Sequence, residues 1–264
     1  MVKMGILIAT VGTTVGKTLK QSIDCLEHEI KEKYPKCIVK QSFTSDRIRQ
    51  ILRERDGIFV PDVGEALLQL RKLGTTHVLI LPTHLIAGSE YEKIEHIVSK
   101  YTDRFKRVLV AKPLLSKDSD FELVANALYT SNREKNKDHL ILYVGHGSDH
   151  IADICYQKMQ HYLQKAFWEK VFLTTIRGNL QLNDIVEQLK VDCDKNQNVL
   201  LYPFMFVAGG HADRDLIHGE HSIKNSLEQA GFQVEYEIKG LGEMPQIRQI
   251  YLFHLQQAIE MITE

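Results

Sequence analysis

The chain has 264 residues, a quarter of them charged and 44% apolar, with a formal net charge of −1. That length allows two α/β lobes, each with its own core. The near-neutral charge argues against a nucleic-acid surface, which needs Lys and Arg in excess on one face. No apolar run approaches the ~20 residues that cross a bilayer, so no membrane partner is expected. The short apolar stretch at the N-terminus reads directly into a strand and a turn, without a cleavage site. Cys25, Cys37, Cys155 and Cys193 lack zinc-site spacing and read as reduced thiols of a cytoplasmic protein.

In chain order, strands rich in Val, Ile and Leu are predicted at 4–10, 38–43, 77–82 and 107–111, then at 140–144, 171–174, 198–202 and 233–238. Apolar residues on both faces suit parallel strands covered on two sides. Between them run helical patterns. Leu19, Ile23, Leu26 and Ile30 share a helix face. Pro61 reads as a first-turn proline ahead of Ala66, Leu67 and Leu70. Ser89 and Glu92 have capping-box spacing before Ile94 and Ile97. The polar stretch 131–138 reads as a linker, dividing an N-terminal lobe at 1–131 from a C-terminal lobe at 138–245; a closing helix over 246–263 would pack back on the first lobe. The fold expected is α/β, with two similar lobes, each a four-stranded, mainly parallel sheet flanked by helices.

An internal repeat supports the duplication. Val78–Gly88 aligns without a gap on Val199–Gly209, each an apolar strand running into proline and ending in Ala-Gly. The opening strand with Val11-Gly12 is likewise echoed by 140–145 with Val144-Gly145.

Ligands of open α/β sheets sit at the carboxyl ends of the strands. The loop Gly12-Thr-Thr-Val-Gly-Lys-Thr18 resembles a phosphate loop, but Val11 stands where a Walker A motif needs its first glycine, so a strand-to-helix turn is the better reading and no nucleotide is expected. His146, between Gly145 and Gly147, and His211, after Gly209-Gly210, stand at the ends of strands expected to be neighbours. Neutral imidazoles there could bind a borderline divalent metal or accept protons near neutral pH. A histidine that merely caps a helix is the plainer alternative for each alone. His150, His218 and His221 form weaker clusters, the last two reading as a solvated helix start.

Gly145-His-Gly147, Met205-Phe-Val-Ala-Gly-Gly-His211, Gly240-Leu-Gly-Glu-Met-Pro245 and Ala87-Gly-Ser-Glu-Tyr-Glu-Lys-Ile94 together resemble the anaerobic, CbiK-type sirohydrochlorin cobaltochelatases. These are class II chelatases, related in fold to the ferrochelatases. The resemblance covers essentially the whole chain. It implies two lobes with a tetrapyrrole cleft between them and ATP-independent insertion of Co²⁺ into sirohydrochlorin in cobalamin synthesis. His146 and His211 would be the metal-site and catalytic histidines. Thr13, Thr14, His84 and the apolar wall Met205, Phe206 and Ala208 are expected at the tetrapyrrole face.

The family carries a glutamate as third metal ligand after the strand at 171–176, where this chain has Arg177. A guanidinium cannot ligate a cation. Either another acid nearby, for example Asp149 or Glu243, takes over, or metal preference has changed, or the chain binds a tetrapyrrole without metallating it, Arg177 pairing a substrate carboxylate. Ni²⁺ or Fe²⁺ as the metal substrate and a homo-oligomeric state are both compatible with the sequence.

Overall fold

Strand Met4–Thr10 (β1) has no polar face: every residue from Gly5 to Thr10 is buried. Such a strand needs cover on both sides, and its neighbours share the pattern. In a computed structural model the chain is described at residues 2–167, 171–192 and 198–263, without the side chains of Phe167, Val191, Asp192 and His211. The described residues form two units, Met1–Ser116 with Gly242–Glu264, and Lys117–Leu241.

In the first unit β1 is followed by helices Gly16–Gln21 (α1) and Ile23–Lys33 (α2), strand Ile38–Phe43 (β2), helices Asp46–Asp56 (α3) and Val63–Lys72 (α4), strand His77–Pro82 (β3), helix Ser89–Ser99 (α5) and strand Arg107–Val110 (β4). The sheet order is β2-β1-β3-β4, all parallel. One face of the sheet (Leu7, Ala9, Val78, Ile80) packs on Val63, Ala66, Leu67 and Leu70 of α4 and on Ile94 and Val98 of α5.

The second unit repeats this plan. Helix Asp118–Asn132 (α6) precedes strand His139–Gly145 (β5), helix Ile154–Phe167 (α7), strand Val171–Thr175 (β6), helix Leu182–Asp192 (α8), strand Asn198–Phe204 (β7), helices Gly210–Asp213 (α9) and Ile223–Gln229 (α10) and strand Gln233–Tyr236 (β8). Its parallel sheet has the order β6-β5-β7-β8. The last helix, Pro245–Thr263 (α11), returns to the first unit and packs on β3 and β4.

Three local expectations need correction. The first lobe does not extend to residue 131, because α6 belongs to the second unit. Phe121 meets Tyr162 of α7, Asp118 pairs with Lys158 at 2.6 Å, and Asn132 Nδ2 donates to the buried Tyr143 hydroxyl at 2.9 Å. The polar stretch at 131–138 is therefore a connection within that unit, held where Lys135 bonds the Tyr202 hydroxyl and pairs with Glu237. Secondly, α5 starts from Gly88 with no side-chain cap, so Ser89 lies inside the helix. Thirdly, the capping box opens α4, built by Asp62 and Glu65, and Pro61 stands outside the helix.

A largely buried ion pair ties α11 to α2. Arg248, 8% exposed, reaches Glu29 through Nε at 2.8 Å and Nη2 at 2.7 Å, and donates to the Gly242 carbonyl at 3.0 Å. Removing one partner strands the other charge in a poorly solvated place. Arg248→Ala is expected to cost about 3 kcal/mol of stability, read by urea denaturation followed by far-UV circular dichroism.

Candidate functional site

The register of the two sheets shows which positions correspond. Met4 pairs with His77 as His139 pairs with Asn198, so the end of β1 maps on the end of β5 with Thr10 on Gly145, Val11 on His146 and Gly12 on Gly147. Backbone geometry agrees: Gly12 and Gly147 both have positive φ, +90° and +73°. The sequence match of Val11-Gly12 with Val144-Gly145 is thus out of register, and His146 takes the place of a valine. By the same logic Thr44 N–H donates to the Thr10 carbonyl as Ile176 N–H donates to the Gly145 carbonyl, which sets Arg177 in the place of Ser45.

His146 is exposed at the tip of β5. Its Nδ1 lies 3.0 Å from the Gly147 carbonyl oxygen. A carbonyl only accepts, so the proton of the neutral ring must reside on Nδ1. Nε2 is left with a lone pair, able to hold a metal or take a proton. Gly147 makes this turn feasible. A Cβ built there would lie 1.1 Å from the Arg177 carbonyl oxygen, and the φ of +73° already disfavours any side chain.

Arg177 is brought directly beside His146. Its N–H donates to the His146 carbonyl at 2.8 Å, while its side chain is exposed. Asp153, buried behind both loops, accepts from Ser148 N–H at 2.9 Å and from Asn179 N–H at 2.8 Å. Tyr156 packs where a Gly145 side chain would be, and its hydroxyl bonds the Gly147 backbone; burial pushes its pKa up to about 12. His150, one of the weaker candidates, is a local cap: its Nδ1 accepts from Ala152 N–H at 3.1 Å.

On the other side of β5 in the sheet, β7 leads into α9, whose backbone carries His211; the His211 side chain lies outside the described residues. Phe206 and Ala208 are buried, and Met205 packs against the core of its own unit, so this stretch is a built wall and not an open apolar surface. Gly240 explains part of that wall. Leu241 N–H donates to the Met205 carbonyl at 2.8 Å, and a Cβ on Gly240 would come within 2.6 Å of the Phe206 carbonyl oxygen. His221 is exposed just ahead of α10, as a solvated helix start would be, whereas His218, also exposed, closes a π-helical turn at Arg214–His218.

The first unit holds the remaining candidates. Thr13 is buried and its Oγ1 accepts from Val15 N–H at 3.1 Å, a local turn bond; the Thr14 carbonyl accepts from Arg55 at 2.8 Å. His84 follows β3 with both ring nitrogens buried and unbonded. Burial drives its pKa down to about 4, with the Glu90 charge pulling weakly the other way. Of the acids offered as replacements for the family glutamate, Asp149 is exposed in the His146 loop, and Glu243 falls in the first unit. Among the described residues, no three His, Cys, Asp or Glu side chains gather into a metal-holding group. Continuing the ungapped repeat by two residues sets Glu90 on His211.

Residues 4–260 match the family model for cobalt chelatase (CbiK). The chain belongs to the CbiK cobalt chelatase family. It is 30% identical over 265 residues to a sirohydrochlorin cobaltochelatase of Salmonella typhimurium, covering 99% of this chain and 98% of that one. It is 27% identical over 271 residues to sirohydrochlorin cobaltochelatase CbiKC of Nitratidesulfovibrio vulgaris, covering 100% of this chain and 93% of the relative. In fold it is similar to SirB from Bacillus subtilis solved with Fe³⁺, with a TM-score of 0.63, 18% identity, and coverage of 97% and 95% of the two chains. The structure of CbiX, described as the terminal enzyme of siroheme biosynthesis in denitrifying bacteria, matches with a TM-score of 0.60, 16% identity, and coverage of 97% and 99%. Among the described residues, no helix of this chelatase-family chain is long and apolar enough to cross a membrane.

Two outcomes test this geometry. Gly147→Ala should destabilise the protein by about 3 kcal/mol or more through clash and strain. Gly210→Ala, where a Cβ meets nothing within 4 Å, should stay within about 0.5 kcal/mol of wild type; chemical denaturation reads both. His84, whose pKa of about 4 lies below the unperturbed 6.5, binds fewer protons folded than unfolded across that window. Stability should therefore fall as pH drops from 6.5 towards 4. In His84→Leu the fall should be shallower, measured by denaturation at pH 7 and pH 4.5.

Proposed function

We propose that the chain is a sirohydrochlorin cobaltochelatase, inserting Co²⁺ into sirohydrochlorin in anaerobic cobalamin synthesis without nucleotide. The observation that carries the reading is the His146 ring, exposed at a strand end with Nδ1–H tied to the Gly147 carbonyl and Nε2 open. Full-length relatives named for this activity support it. Insertion requires that the metal shed water and that two pyrrole N–H protons leave. An imidazole Nε2 can hold the ion loosely and then accept a proton, both within its ordinary range.

In this reading His146 and His211 contact the metal and take protons. Arg177, its backbone fixed beside His146, pairs with a carboxylate of the substrate, for which guanidinium is well shaped. Thr13, Thr14, His84 and the Met205, Phe206 and Ala208 segment shape the tetrapyrrole contact. Free Cys25, Cys37 and Cys155 suit a reducing cytoplasm. Ni²⁺ or Fe²⁺ would use the same groups. A second reading is favoured by the exposed Arg177 in place of an acid: a tetrapyrrole-binding protein that does not metallate.

The absorbance of sirohydrochlorin with Co²⁺, Ni²⁺ or Fe²⁺ tests these readings. Wild type should accelerate insertion, Co²⁺ fastest, and His146→Ala should lower kcat about 10²–10⁴-fold. Acceleration by wild type for none of the metals would refute the enzyme; binding without turnover, with activity appearing in Arg177→Glu, would establish the carrier reading.

A further inference from the structure

Asp153 is 1% exposed, yet none of the chemistry above uses it. An acid just ahead of a helix would ordinarily cap it, accepting from the N–H groups two or three residues on. Here the two oxygens face elsewhere. Oδ1 accepts from Ser148 N–H in the loop after β5, and Oδ2 from Asn179 N–H in the loop after β6. These loops carry His146 and Arg177. They touch at a second point, where Arg177 N–H meets the His146 carbonyl. Gly178, at φ +122°, keeps room for the carboxylate: a Cβ there would lie 2.6 Å from Oδ1. Gly147 similarly leaves room for the Arg177 carbonyl.

We infer that Asp153 is a positioning residue that clamps the His146 and Arg177 loops in one register through its two carboxylate oxygens. The inference rests on the chelatase reading for its catalytic consequence and on the hydrogen bonds alone for its structural one. Both loop amides are needed, so a carboxylate is the group that fits. An amide has one acceptor oxygen, and its NH₂ would face an N–H donor. Asparagine should hold one loop and release the other.

The test compares wild type with Asp153→Asn and Asp153→Ala, on protein verified as folded by circular dichroism. Amide hydrogen exchange at Ser148 and Asn179 should rise about tenfold for each lost bond, at one site in the asparagine variant and at both in the alanine variant. With sirohydrochlorin and Co²⁺, kcat should fall about tenfold in Asp153→Asn and further in Asp153→Ala, with KM within twofold. A residue needed only for folding would leave kcat of the folded fraction unchanged. Unaltered exchange at both amides, or faster exchange with unaltered kcat, would overturn the inference. An inactive wild type would instead refute the chelatase reading, and the exchange data would still decide the clamp. If Asp153→Ala fails to fold, the isosteric asparagine variant decides alone.

Discussion

The N–H of Arg177 donates to the carbonyl of His146, and the chain between them tolerates this contact only because Gly147 has no side chain. Much else in the second unit follows from that closeness. The exposed end of β5 turns sharply, at a φ that side chains disfavour, and presents His146 to solvent instead of to the core. The same turn directs the Gly147 carbonyl at the His146 ring, which selects the tautomer with an open Nε2. The backbone of Arg177 is fixed beside that histidine, while its side chain is exposed.

Duplication gives this arrangement its scaffold, and divergence gives it its chemistry. The two units share strand order, register and the positive-φ glycine after the first strand. The corresponding residues differ most at the strand ends. Val11 stands opposite His146, Ser45 opposite Arg177, and Glu90 opposite His211 in the repeat. The buried strand interiors, by contrast, stay apolar in both copies, because cover on both faces tolerates little else.

The strands were legible because parallel strands covered on two sides must be apolar throughout, a pattern that survives without knowledge of tertiary contacts. His146 was legible for the opposite reason, as a polar residue between glycines where a core residue would be expected. The boundary near residue 131 was misread because a polar run looks like a linker whether or not it is pinned, and the bonds of Lys135 to Tyr202 and Glu237 come from residues far along the chain. Ser89 and Pro61 marked the right helices but not their caps, since caps depend on the backbone geometry entering the helix. Asp153 gave no signal at all: a lone acid near a helix start is common, and only the approach of Asn179 from another loop gives it a second partner. The valine-glycine match misplaced the register by comparing residue types where φ was the shared property.

The backbone of the glycine turn, through the Gly147 carbonyl, holds His146 as the Nδ1–H tautomer with Nε2 open. Long-range ¹H–¹⁵N correlation of the imidazole rings, with His146 assigned by its absence in His146→Ala, reads the protonated nitrogen directly. At a pH where the ring is neutral, the protonated nitrogen should be Nδ1. A His146 ring protonated mainly at Nε2 would contradict the account.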